Sequence, residues 1–216
     1  MSPRLLMAFT GLGLALWSAG GSEAADWYAG ARTATTHVEV YRFLSWEHGP
    51  RRASSGVSGG VRLRKHLAID LSYLRATGLE WTEDPAVLPS LPGHYRSETS
   101  FDATAVQVSA VGVFPFGGIW DAYVKGGLSR YRLAGQQHVS DWVGVSTDLT
   151  RRFAVSGTGG LLGGGLGVSV SPRWHVRVEY QFFEVEPTVF GVAPGNPPTL
   201  DSISLGFDYR FGSASR

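Results

Sequence analysis

In the stretch Trp174, Val176, Val178, Tyr180 and Phe182, large apolar residues take every second position, and His175, Arg177, Glu179 and Gln181 fill the gaps. A period of two belongs to a strand with two unlike faces. The same alternation recurs near the end of the chain, where Ile203, Leu205, Phe207, Tyr209 and Phe211 oppose Ser202, Ser204, Gly206, Asp208 and Arg210. Leu67, Ile69, Leu71 and Tyr73 alternate with Ala68, Asp70 and Ser72, and Val57, Gly59, Val61 and Leu63 with Ser58, Gly60, Arg62 and Arg64. Weaker period-two runs at 27–35, 104–113, 123–132 and 158–170 bring the expected strands to eight. The gaps between them alternate in length. Short ones fall at 65–66, 114–118 and 171–173, and long ones at 36–56, 78–98, 133–152 and 187–199. The stretch 36–43 leaves open whether a strand is extended or two more are added, ten instead of eight.

The first residues read differently. Arg4 and the chain's amine precede a run from Leu5 to Gly21 that is apolar or small throughout, and Ser22-Glu23-Ala24 offers small residues where a leader is cut. Residues 1–24 are therefore expected to be a cleaved secretory signal peptide, with 25–216 as one domain. Beyond it no helical spacing of apolar residues persists for three turns, and the 29 glycines disfavour helix, so the domain is expected to be all-β.

Composition narrows the chemistry. Lys plus Arg number 19 and Asp plus Glu 18, a net charge of +1, which lacks the basic excess of nucleic-acid binders. Cysteine is absent, which removes thiolate metal sites, thiol nucleophiles and disulfides. The six histidines, among them His37, His48, His66, His94 and His175, show no ligand spacing, so neither a metal nor another cofactor is expected.

An even number of strands with tight turns at one end and long loops at the other matches a membrane-spanning barrel, with turns facing the periplasm. Eight strands enclose an interior just wide enough for side chains. Ser, Gly, Asp, Arg and Glu on one row suit that lumen, and Trp, Tyr, Phe, Leu and Val on the other suit hydrocarbon. Trp27, Phe114, Phe116, Trp120, Trp174 and Phe211 all fall at turn-side strand ends, where an interfacial girdle belongs. A soluble periplasmic lipid-binding barrel is the competing architecture. The glycines at 163, 165 and 167 share the face opposite Leu162, Leu166 and Val168; they make room for bulky lumen groups, and no Gly-x-Gly-x-x-Gly phosphate loop is formed.

With Asp26-Trp27-Tyr28-Ala29-Gly30, Tyr123-Val124-Lys125-Gly126-Gly127-Leu128, Val176-Arg177-Val178-Glu179-Tyr180 and the closing Leu205-Gly206-Phe207-Asp208-Tyr209-Arg210-Phe211, the chain resembles the OmpA-like family of small outer-membrane β-barrels. The resemblance implies an eight-stranded antiparallel transmembrane barrel, an up-and-down meander with short periplasmic turns and long extracellular loops. It also implies that Leu205, Phe207, Tyr209 and Phe211 form the strand read by the outer-membrane assembly machinery. No peptidoglycan-binding domain is expected after them.

The expected lumen row carries Arg32, Arg62, Arg64, Asp70, Lys125, Arg177, Glu179, Asp208 and Arg210, charges of both signs that must pair in a confined space. A structural ion network is the main expectation and a gated narrow pore the alternative. His138-Val139-Ser140 resembles the His-x-Ser of membrane-embedded lipid A deacylases, but the segment reads as loop and its only close acid is Asp141, so no enzyme is expected. Arg42, Arg51, Arg52, Arg151 and Arg152 near the loop ends are candidate contacts for lipopolysaccharide phosphates. The expected molecule is a monomeric outer-membrane barrel with a structural or surface role, a pore or an adhesin being the alternatives.

Overall fold

The computed structural model describes residues 26–42, 45–48, 50–83, 96–140, 149–185 and 198–211. They form nine strands: β1 (Asp26–Arg42), β2 (Ser45–His48), β3 (Arg52–Arg64), β4 (Leu67–Glu83), β5 (Arg96–Phe116), β6 (Trp120–Ser140), β7 (Leu149–Ser169), β8 (Trp174–Glu184) and β9 (Thr199–Phe211). Every pairing is antiparallel between neighbours in the ring, and β1 pairs with β9 from Trp27↔Phe211 to Glu39↔Thr199. That pairing closes eight strands into a cylinder. The ninth, β2, is a short hairpin arm on the far end of β1, with Arg42 opposite Ser45, so residues 36–42 of the 36–43 stretch extend β1 rather than adding a ring member, and Phe43 lies outside the described residues.

Several strands run into segments that read as loop. The alternation of β6 and β7 continues through polar residues to Ser140 and from Leu149, and β4 continues to Glu83. Arg42, Arg52, Arg151 and Arg152 are accordingly strand residues, and His138-Val139-Ser140 ends β6. Polar alternation carries less contrast than apolar alternation, which is why the hydrophobic pattern stops short of the real strand ends. The wall is uneven: β5, β6 and β7 have 21 residues each, whereas β8 has 11. Along β7, residues 149–160 bond only to β6 among the described residues, since β8 joins at Leu161↔Phe183.

The outward rows are apolar over the turn-side part of the cylinder. Val57, Leu71, Val106, Val108, Val124, Leu162, Leu166, Val178, Leu205 and Phe207 are all exposed. The six aromatics Trp27, Phe114, Phe116, Trp120, Trp174 and Phe211 are exposed at the turn-side ends, Trp27 to 60 %, with Trp174 edge-on to Tyr209 at 5.1 Å. Water would not leave so much apolar surface bare, whereas hydrocarbon does.

The interior has two storeys. Toward the turns it is mainly polar, with a small apolar cluster of Ala68, Val111, Val113 and Tyr123. Toward the loops it is filled by Val38, Leu74, Leu79, Trp81, Phe101, Tyr131, Leu133, Leu161, Phe183 and Leu200, all buried in one cluster. An interior polar along its whole length is thus corrected: its loop-side half is a dry apolar core. A register shift between Ala76 and Leu79 helps build it. The shift takes in Gly78 at φ 64°, in the left-handed region that glycine enters without penalty, and it moves the inward row from Leu74 and Ala76 to Leu79 and Trp81.

Candidate functional site

The polar storey is built by opposing each charged side chain to a residue that takes little room. Arg32 on β1 lies between Gly56 of β3 and Gly206 of β9, and Asp208 of β9 lies opposite Gly30. Lys125 of β6 faces Gly163, and β8 sets Arg177 and Glu179 beside Gly167 and Gly165 of β7. Eight strands leave little space for large residues on adjacent rows, so each of these charges has glycine beside it on at least one side, while His175 faces Asp208 and Val111 faces Lys125.

These groups form a continuous chain of ion pairs. Lys125 Nζ lies 2.5 Å from Glu179 Oε1, and Arg32 Nη1 lies 3.0 Å from the same oxygen. Arg32 Nη2 is 3.8 Å from Asp70 Oδ2, which Arg177 Nη1 approaches to 3.3 Å. Arg177 then turns Nε toward Asp208 Oδ2 at 3.2 Å and donates from Nη2 to Ser58 Oγ at 2.9 Å. His175 stands between Asp121 at 3.1 Å and Asp208 at 3.7 Å. Tyr123 donates its hydroxyl to Glu179 Oε2 at 3.1 Å, and Lys125 donates to Gln181 Oε1 at 2.5 Å. Arg32, Lys125 and Arg177 balance Asp70, Glu179 and Asp208, so the chain is close to neutral as a unit. All six are buried. The set is balanced in charge but not fully hydrogen-bonded, since Arg32 Nε and Nη2, Asp70 Oδ1 and Asp208 Oδ1 have no hydrogen-bond partner; removing any one charged member leaves an uncompensated buried charge, which is costly.

Of the nine lumen residues expected from sequence, the structure brings Arg32, Asp70, Lys125, Arg177, Glu179 and Asp208 together. Arg62 and Arg210 stand lower, half-buried around a cavity of about 50 Å³ that Tyr28, Asp121, His175 and Asp208 also line. That volume admits a few water molecules at most. Arg64 is a correction: it is exposed, because a register shift between Arg62 and Arg64 carries it out of the inward row. Asp121, Tyr123, His175, Gln181 and Ser58 are network members the sequence reading left out. The signal for three of them was parity, since His175 and Gln181 share the row of Arg177 and Glu179, and Asp121 that of Lys125.

The remaining candidates are dispersed. Leu205 and Phe207 are exposed on the outer face of β9, and Tyr209 and Phe211 pack edge to face at 5.0 Å at its end. His138 lies opposite Glu98 in register, with Nδ1 3.3 Å from Thr150 Oγ1; the side chain of Ser140 and all of Asp141 lie outside the described residues. Among the loop-end arginines, Arg52 is paired with Glu80, Arg51, Arg151 and Arg152 are exposed, and the side chain of Arg42 is outside the described residues. Among the described residues no group of three His, Asp or Glu side chains is placed to hold a metal ion.

A closed ring of eight strands with an apolar exterior, aromatic ends and a charged interior is the build of a bacterial outer-membrane barrel, and residues 5–211 match the model of the outer membrane protein β-barrel domain. The chain belongs to that family. Solved outer-membrane barrels share its architecture. Neisserial surface protein A is 19 % identical, the likeness covering 88 % of this chain and 100 % of that one with a TM-score of 0.56. Ail, the attachment invasion locus protein of Yersinia pestis, is 14 % identical over 87 % and 99 % of the two chains, with a TM-score of 0.50. OprG of Pseudomonas aeruginosa is 11 % identical over 89 % and 99 %, also with 0.50. No curated protein matches the sequence. At these identities the likeness is one of fold, and the outer-membrane barrel's own interior has to argue its role.

Proposed function

We propose that this outer-membrane barrel is a sealed, non-conducting and non-enzymatic member of its family, serving the envelope as a stable surface element. The observation that carries the reading is the filled interior, with a neutral ion-pair chain on one level and a dry apolar core on the next. An ion crossing it would have to break the first and enter the second, and neither step is compensated. In this reading residues 1–24 are a cleaved export signal and the long-loop end faces outward. The barrel is monomeric, and Leu205, Phe207, Tyr209 and Phe211 engage the assembly machinery during insertion. The exposed Arg51, Arg151 and Arg152 then stand on the lipopolysaccharide side.

Purified protein in planar lipid bilayers tests the reading. The expected trace holds no single-channel steps at either polarity. Discrete, reproducible steps with the wild-type protein would overturn it.

A further inference from the structure

On four adjacent strands the outward apolar row gives way to polar side chains toward the loop end. It ends at Tyr73 on β4, Val106 on β5, Leu128 on β6 and Leu162 on β7. The next outward side chains are Arg75 on β4, Thr104 on β5, Arg130 and Arg132 on β6, and, beyond Gly160, Thr158 and Ser156 on β7. Register places them side by side: Arg75 opposite Thr104, Thr104 opposite Arg132, Arg132 opposite Ser156, and Arg130 opposite Thr158. Three guanidinium groups and three hydroxyls therefore share one outward patch directly above the apolar band.

The height of the patch follows from the strand. From the girdle residue Trp120 to Leu128 is eight residues along β6. At ~3.4 Å per residue and a tilt of ~40° they span about 21 Å, close to the ~25 Å apolar band of such barrels. Arg130 and Arg132 then stand about 5 and 10 Å beyond Leu128, at the edge of that band and about 6 Å above it, where headgroup phosphates lie. All three arginines are exposed, and among the described residues none makes an ion pair. The acids nearby are engaged elsewhere, Asp102 by the Gly78 amide at 3.0 Å and Glu80 by Arg52. A guanidinium facing lipid without a carboxylate is best satisfied by a phosphate, which its planar fork can hold through two bonds.

We propose that Arg75, Arg130 and Arg132, with Thr104, Ser156 and Thr158, bind the phosphate groups of a phosphorylated outer-leaflet glycolipid against the β4–β7 wall. The site lies on the membrane-facing wall, distinct from the loop-end arginines, and it rests on the reading that the loop-side end faces outward.

The experiment reconstitutes wild type and the R75Q/R130Q/R132Q variant in phosphatidylcholine vesicles, alone, with bisphosphorylated lipid A, or with its dephosphorylated form. Thermal unfolding is followed by the mobility change of the folded barrel on electrophoresis. Phosphorylated lipid A is expected to raise the wild-type midpoint by several degrees over both other compositions, and the triple variant to lose at least half of that rise. A rise kept in full by the triple variant overturns the site. An equal rise with the dephosphorylated lipid, or with inorganic phosphate added to phosphatidylcholine vesicles alone, overturns the lipid-phosphate assignment. If the triple variant does not insert, R75K/R130K/R132K and the three single Arg→Gln variants replace it. The site then requires the rise to be kept with lysine and reduced by each single change, and it is overturned if the single changes leave it whole. Protease cleavage of the loop-side end in intact cells tests orientation separately, so the two readings fail independently.

Discussion

Arg32 and Glu179 are 147 residues apart in sequence and sit on strands separated only by β9, and Nη1 and Oε1 meet at 3.0 Å in the lumen. The contact joins β8 to β1 past β9, the strand whose pairing with β1 closes the ring, so it reports on closure of the cylinder rather than on any one hairpin. Replacing Glu179 by Ala leaves Arg32, Lys125 and Tyr123 without their shared acceptor. A loss of about 3–5 kcal/mol is expected, the cost of an uncompensated buried charge. Denaturant unfolding in detergent measures it, and an unchanged midpoint would remove the buried pair from the account.

Lys125 and Glu179 should also be coupled. Lys125→Met leaves the carboxylate with Arg32 and Tyr123 only, and Glu179→Gln leaves the ammonium with neutral amide acceptors only. The double variant is expected to cost less than the sum of the two by about 0.5–3 kcal/mol, as for residues in direct contact. Strict additivity in the cycle would mean that the 2.5 Å approach carries no interaction.

Glycine at Gly127 has a different purpose from glycine at the adjacent Gly126. A Cβ added at Gly127 would meet the carbonyl oxygen of Val108 at 2.0 Å, whereas one at Gly126 would meet only a Leu162 methyl at 3.5 Å. Gly127→Ala is therefore expected to destabilise the barrel by about 1–3 kcal/mol, since backbone has to move. Gly126→Ala, pointing outward, should change stability little. Paired melting curves of the two variants decide the matter.

Leu133 is completely buried in the upper storey. Leu133→Ala should cost about 2–5 kcal/mol through the cavity it leaves. It should open no conductance, because the ion-pair chain below it stays intact. Current steps from this variant would show that the apolar storey alone is the barrier.

Strands β8 and β9 were legible residue by residue, because their apolar and polar positions alternate without interruption from Trp174 to Phe182 and from Ile203 to Phe211. Two features hid the rest. Register shifts at Arg62/Arg64 and Ala76/Leu79 exchange inside for outside, and nothing in the local pattern marks them except Gly78. The upper storey was hidden for a different reason. Leu133, Leu161 and Leu200 are as apolar as any residue facing lipid, so a two-letter pattern cannot tell a dry interior from a greasy exterior. His175 has no ligand spacing to mark it, yet its position two residues before Arg177 puts it on the inward row.

The apolar upper storey also frees the rim from the bilayer. A cylinder held together only where hydrocarbon surrounds it would weaken as the membrane thins, whereas one whose own oil-like filling begins at the headgroup level and continues toward the loops keeps its shape whatever the immersion depth. The upper wall then remains rigid at different membrane thicknesses, and adjusting the fit is left to the girdle below.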